Sequence, residues 1–157
     1  MKRLLYLFIG VFICCAAGST LFSCGEPVES TTSRSVAQFT FDSASVTKKL
    51  DSLTVVALNT VIGDSVITEK TASVSSASVP LSYTKTETTV VFKFVKNVND
   101  TIWITHTNTP HFISMDAGIA MYYHIDNVRH TSHAIDSVSI INPEVDTNEK
   151  NNIRLHF

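Results

Sequence analysis

Apolar and polar residues alternate along much of this 157-residue chain. In "VAQFTF", Ala37, Phe39 and Phe41 fall on one side and Val36, Gln38 and Thr40 on the other. Successive side chains of a strand point to opposite faces, so this period of two predicts a half-buried strand. "TTVVFKFV" sets Val90, Phe92 and Phe94 against Thr89 and Lys93. "TIWITHT" sets Ile102 and Ile104 against Thr101, Trp103 and Thr105. "DSLTVVAL" is a β-branched run, "DSVITE" a short strand, and "VSSASVPLSY" a Ser-rich strand broken at Pro80. "GIAMYYHIDNVR" predicts a long strand after "TPHFISMD", and "AIDSVSII" and "NIRLHF" complete the set. Residues 88–107 read as the best hairpin, turning at 97–100, and residues 120–142 as a second, turning near 130–133. No amphipathic helix and no solenoid-length repeat stands out. Short strands rich in Val, Ile, Thr, Phe and Tyr, separated by polar turns, predict an all-β domain. The expected form is an antiparallel β-sandwich of about seven to nine strands, with a β-barrel as the alternative.

The first residues break this pattern. "MKRLLYLFIGVFICCAAGSTLFSC" opens on Lys2 and Arg3, continues as an apolar run over residues 4–17, and ends in small and polar residues. That is the layout of a secretory leader. A spanning helix needs ~20 apolar residues, which disfavours an uncleaved anchor. "LFSC" resembles a bacterial lipobox, with Leu21 three residues before Cys24 and the small Ser23 just before it. The resemblance implies diacylglycerol on the Cys24 sulfur, cleavage before Cys24, and acylation of the new amino terminus with fatty acids such as palmitate. Each buried CH₂ contributes ~0.8 kcal/mol to holding such chains in a bilayer. Cys14 and Cys15 lie within the leader, so the mature chain is expected to have neither a disulfide nor a free thiol. The domain reading is residues 1–23 as signal peptide, 24–35 as lipidated tether and 36–157 as a single β-sandwich domain.

Charge narrows the partners. The whole chain has a formal charge of −2, and the leader holds two basic residues and no acidic one. The remainder is therefore more acidic still, which argues against a nucleic-acid partner. No polybasic membrane-binding segment is present. Contact with the membrane is expected through the N-terminal lipid.

One tripeptide recurs: Asp, then Ser or Thr, then an aliphatic residue. It places Ser43, Ser52, Ser65, Thr101 and Ser137 after Asp42, Asp51, Asp64, Asp100 and Asp136. The triplet resembles the O-glycosylation sequon of proteins exported by Bacteroides-type bacteria, in which the hydroxyl carries the glycan. Turn chemistry is the competing reading, since Asp bonds nearby backbone N–H groups before a strand starts. A glycan needs an exposed hydroxyl, which makes the strand-embedded Ser137 the weakest of the five.

His124, His130 and His133 are close in sequence and are weak metal candidates, because imidazole with Asp126 or Asp136 suits zinc chemistry. Their spacing matches no metalloenzyme signature. There is no Gly-x-Ser-x-Gly elbow and no phosphate-cradling glycine loop. No catalytic residue, cofactor or metal is therefore assigned. Trp103 is a candidate binding residue, since an exposed tryptophan stacks on sugars or fills a partner's pocket. In a two-sheet fold its face can also be core, and the general tendency of Trp favours burial.

"TASVSSASVPL", "VFKF", "DTIWITHTNTPHFIS", "HTSHAIDSVSIINPEV" and "NEKNNIRLHF" resemble an uncharacterised family of small lipoproteins from Bacteroides-type bacteria, a domain of unknown function. The resemblance is strongest over residues 90–157. It implies lipidation at Cys24 and a β-rich domain, and supplies no catalytic residues. Family members often carry a cysteine where this chain has Ala117, so no thiol-based role carries over. Gly25 rather than Asp follows Cys24, which points to the outer membrane of a Gram-negative envelope. Glu26 and Glu29 do not form the acidic run associated with surface display, which favours the periplasmic face. The expected function is a non-enzymatic binding or interaction module for an envelope protein or glycan. The alternatives are a metal-dependent or hydrolytic envelope enzyme built on the histidines, and a purely structural envelope component.

Overall fold

Alternation becomes a core in the unit that ends at Phe157. A computed structural model describes residues 35–157 except 61, 62 and 116. Cys24 and the leader lie outside the described residues. Eleven strands form among those described: β1 (Val36–Ser43), β2 (Val46–Thr47), β3 (Leu53–Thr60), β4 (Gly63–Thr71), β5 (Ser76–Pro80), β6 (Glu87–Lys93), β7 (Asn99–Ser114), β8 (Gly118–His130), β9 (Ser137–Ile140), β10 (Glu144–Val145) and β11 (Asn151–His156). Two of them, β2 and β10, are only two residues long. The all-β expectation holds.

The strands make two sheets. One runs β10-β8-β7-β6-β3-β4, and the other β2-β1-β11-β9, with β5 also paired to β1. Inward residues of both meet in one core. Ala37, Phe39 and Phe41 of β1 and Ile153 and Leu155 of β11 face Val55, Val90, Phe92, Ile102 and Ile104 of the larger sheet. The Phe39 and Phe92 rings lie 5.4 Å apart, and Phe41 meets Phe92 edge-on at 6.2 Å. Such tilted and edge-to-face pairs suit the aromatic quadrupole and contribute about 0.5–1.5 kcal/mol beyond area burial. Truncating a fully buried Phe39 to alanine would cost about 3–5 kcal/mol.

The expected hairpin over residues 88–107 forms as β6–β7, with Val90 opposite Ile102 and Thr89 opposite Trp103. Its turn contains a 3-10 segment at Val95–Asn97, with Lys96 and Asn97 at positive φ. The second expected hairpin does not form. β8 pairs with β7 along one edge and with β10 along the other. β9 pairs with β11 in the opposite sheet. Residues 131–136 therefore cross between sheets instead of turning back. The sandwich also departs from purely antiparallel pairing, because β1 and β11 run parallel from Gln38 to Asp42. Buried Asn152 anchors that junction. Its Oδ1 accepts the Gln38 N–H, and its Nδ2 donates to the carbonyls of Asn142 and Glu144.

Candidate interaction surfaces and the polar groups inside

β7 carries two buried titratable side chains and the tryptophan. Its inward positions follow one parity: Asp100, Ile102, Ile104 and His106, all buried. Its outward positions include Thr101, Trp103 and Thr105. Beyond Thr105 its strand partner is β8, to Ser114 opposite Gly118, with one further backbone bond on the other side from the His106 N–H to the Thr86 carbonyl.

Asp100 is the acceptor that holds the crossover. Its Oδ1 takes hydrogen bonds from the Thr131 hydroxyl (2.7 Å), the His133 N–H (2.8 Å) and His133 Nδ1 (2.9 Å). Its Oδ2 takes those of the Ala134 and Ile135 N–H groups, at 2.7 and 3.0 Å. Consecutive N–H groups converging on one carboxylate form an anion nest. Burial pushes the Asp100 pKa up, but the bonds from His133, Thr131, Ala134 and Ile135 outweigh it and lower the pKa to about 2. The carboxylate stays charged and saturated. In this triplet, turn-like chemistry has been carried out across the fold, on N–H groups more than thirty residues away in sequence.

His106 sits at the other end of the same stripe. Its Nε2 lies 2.8 Å from Thr88 Oγ1, and its Nδ1 2.6 Å from Asn108 Oδ1. Thr88 Oγ1 accepts the Ser82 N–H, which leaves its own hydrogen for Nε2. Asn108 Nδ2 donates to the carbonyls of Ser82, Tyr83 and Lys85, so its Oδ1 faces the ring and accepts from Nδ1. This assigns a neutral imidazole with its proton on Nδ1. Burial lowers its pKa against the opposing pulls of Asn108, Asp126 and Glu87. The ring also meets Tyr123 edge-on at 5.3 Å. Sequence reading missed both roles. The available signal was parity, since 100 and 106 continue the register of Ile102 and Ile104.

The three metal candidates do not converge. His124 bonds Glu144 at 2.6 Å on an exposed edge, and His133 bonds Asp100. His130 Nε2 is buried with no hydrogen-bond partner. His124 and His130 stand six residues apart along β8, roughly 20 Å at strand rise. Among the described residues, no group of three or more His, Cys, Asp or Glu side chains is placed to hold a metal ion. A shallow cleft of about 400 Å³ lies beside His133, with Lys48 over the Phe157 ring at 4.5 Å on its wall.

Trp103 lies on the outer face of the larger sheet rather than in the core, and is partly exposed. Thr89 of β6 and Arg129 of β8 flank it in register. The Arg129 guanidinium stands 5.5 Å from the ring centroid and is held by Glu87 at 2.8 Å. Val56 and Leu58 of β3 and Val91 of β6 extend the face, each partly exposed.

The five triplet hydroxyls differ in availability. Ser52 and Ser137 are exposed. Ser43 donates to the Phe157 carbonyl at 2.9 Å, and Ser65 Oγ is buried. Thr101 is partly buried beside the Asp100 latch.

The profile of a family of unknown function, DUF6452, matches residues 52–157. That span runs from β3 to the last strand and includes Asp100, Trp103, His106 and the whole β7–β8 ribbon. No curated protein and no solved structure matches the chain. The protein belongs to the family of unknown function DUF6452.

Proposed function

We propose that this protein is an envelope lipoprotein, anchored through Cys24, that acts as a non-enzymatic interaction module for an envelope protein or glycan. The leader and the "LFSC" junction support the anchor, with the outer membrane and its periplasmic face as the location. The observation that carries the binding role is the Trp103 face. A partly exposed tryptophan, capped by a paired Arg129–Glu87 and ringed by Thr89, Thr101 and Thr105, is a rigid aromatic platform with a polar rim. Aromatic and arginine side chains dominate binding hot spots, and a flat indole face stacks on sugar rings. Exposure supports O-glycosylation at Ser52 and Ser137 ahead of the other three hydroxyls.

The test is affinity purification of the full-length protein from cross-linked, detergent-solubilised envelope, read by mass spectrometry. A recurrent near-stoichiometric partner, lost with Trp103→Ala, is expected for a protein ligand. For a glycan ligand, envelope polysaccharide fragments should shift the emission of Trp103, the chain's one tryptophan. Unchanged partners and unchanged emission would remove this reading. Intact mass of the mature protein reads acylation separately.

A further inference from the structure

The inward stripe of β7 and β8 runs off the end of the sandwich. Beyond Asn108 and Tyr123, Met121 still packs against the core, but Pro110, Phe112 and Ile119 are exposed. Phe112 pairs directly with Ile119, and both are largely exposed, at 60% and 65%. Met115 at the turn is 91% exposed, and Ile113 is exposed on the opposite face. Clustered exposed apolar side chains on one projecting element mark a contact surface, unlike a scattered surface leucine.

The position of the ribbon identifies what it contacts. Val36, where β1 begins, pairs with Pro80. The next carbonyl, Leu81, accepts the Tyr123 hydroxyl, and Asn108 donates to the Ser82 carbonyl. The chain therefore enters the domain at the end from which the ribbon projects. Residues 25–35 lead back from there to Cys24 and reach at most about 36–40 Å when extended. The ribbon from Asn108 to Met115 spans roughly 23 Å. The tether is therefore long enough for the tip to touch a surface that holds Cys24. The tether itself, "GEPVESTTSRS", is too polar to cover the apolar stripe.

We infer that the free end of the β7–β8 ribbon is a second membrane contact, which inserts Phe112, Met115 and Ile119 into the lipid surface that holds the N-terminus. The inference rests on the Cys24 anchor for its geometry. Residues 108–122 contain no Lys or Arg and one acidic residue, Asp116, so association comes from apolar contact and not from lipid charge. Insertion is interfacial. The outer edges of the ribbon are unpaired with β6 and β10 there, and unpaired backbone groups do not enter hydrocarbon. Two contacts at one end fix the orientation of the domain and leave the Trp103 face standing away from the bilayer.

The test uses full-length protein carrying Trp103→Phe with Met115→Trp, so that the only indole sits at the tip. A Trp103→Phe, Val95→Trp protein reports the far end. Both are reconstituted into phosphatidylcholine vesicles with brominated acyl chains. The tip indole should emit to the blue and be quenched several-fold more than the far-end one, unchanged by salt or by added phosphatidylglycerol. Water-like, unquenched emission at residue 115 on vesicles that carry the protein overturns the inference. So does a shift that needs envelope protein extract instead of lipid. If intact mass shows no acyl chains and the protein does not float with vesicles, the anchor reading has failed. The same vesicles added to that free protein then decide the tip alone: a shift at residue 115 sustains the contact, and no shift overturns it.

Discussion

Asp100 and His106 share one face of one strand, are equally hidden from solvent, and are stabilised in opposite charge states. Both pKa values are lowered. At Asp100 five hydrogen bonds overcome desolvation and favour the anion. At His106 desolvation wins and favours the neutral ring. The difference follows from what each end of β7 must do. The Asp100 end gathers N–H groups of a crossover loop, which have no strand partner and need an acceptor. The His106 end joins side chains and carbonyls of the 81–86 segment, where a ring with one donor and one acceptor completes the chain of bonds. Groups that look like chemistry in the sequence are spent inside on the fold. The outward face of the same strand, with Trp103, is left for contact.

Asp100→Ala should break this pairing most severely. It removes the acceptor of five hydrogen bonds and strands buried N–H groups, lowering unfolding free energy by roughly 3–5 kcal/mol in urea melts. His106→Ala should follow, at about 2–3 kcal/mol, because it opens a cavity and leaves Thr88 and Asn108 without their ring partner.

Acid should separate the two groups. An unfolded histidine titrates near pH 6.5, and folded His106 only below that. Its contribution is full above pH 6.5 and is lost as pH falls through the folded value. Asp100 titrates near 3.8 when unfolded and at about 2 when folded. Its contribution, roughly 2 kcal/mol, is present above about pH 4 and lost as pH falls towards 2. The smallest effect is expected outside. Arg129→Ala breaks an exposed pair with Glu87 and should change stability by less than ~0.5 kcal/mol, less again in high salt.

Much of the fold was legible because alternation reports burial directly. Ala37, Phe39 and Phe41 are fully buried, as their period requires, and β6–β7 pairs as its matched faces suggest. Alternation says which face is inside but not which strand lies alongside. The parallel β1–β11 pair joins residues over a hundred positions apart, and no local signal marks it. The expected 120–142 hairpin failed for a related reason: residues 131–136 carry turn-like polarity, but the N–H groups of His133, Ala134 and Ile135 are satisfied by Asp100 from across the fold. For the candidate sites, pattern set Trp103 opposite Ile102 and Ile104. Only the sheet order showed that this face is outside the core. In the sequence "TPHFISMD" reads as the lead-in to a strand, whereas the structure continues β7 through it to Ser114, paired with β8 up to Gly118.

The contrast between the two buried groups is tested most directly by urea unfolding of wild type and His106→Gln from pH 8 to pH 2. Gln cannot titrate and retains a donor and an acceptor. Wild type should lose stability in two steps, one below pH 6.5 and one below pH 4. His106→Gln should flatten the first step and keep the second. Parallel curves through the first step would contradict the account, because His106 would then not be the group held neutral inside the fold.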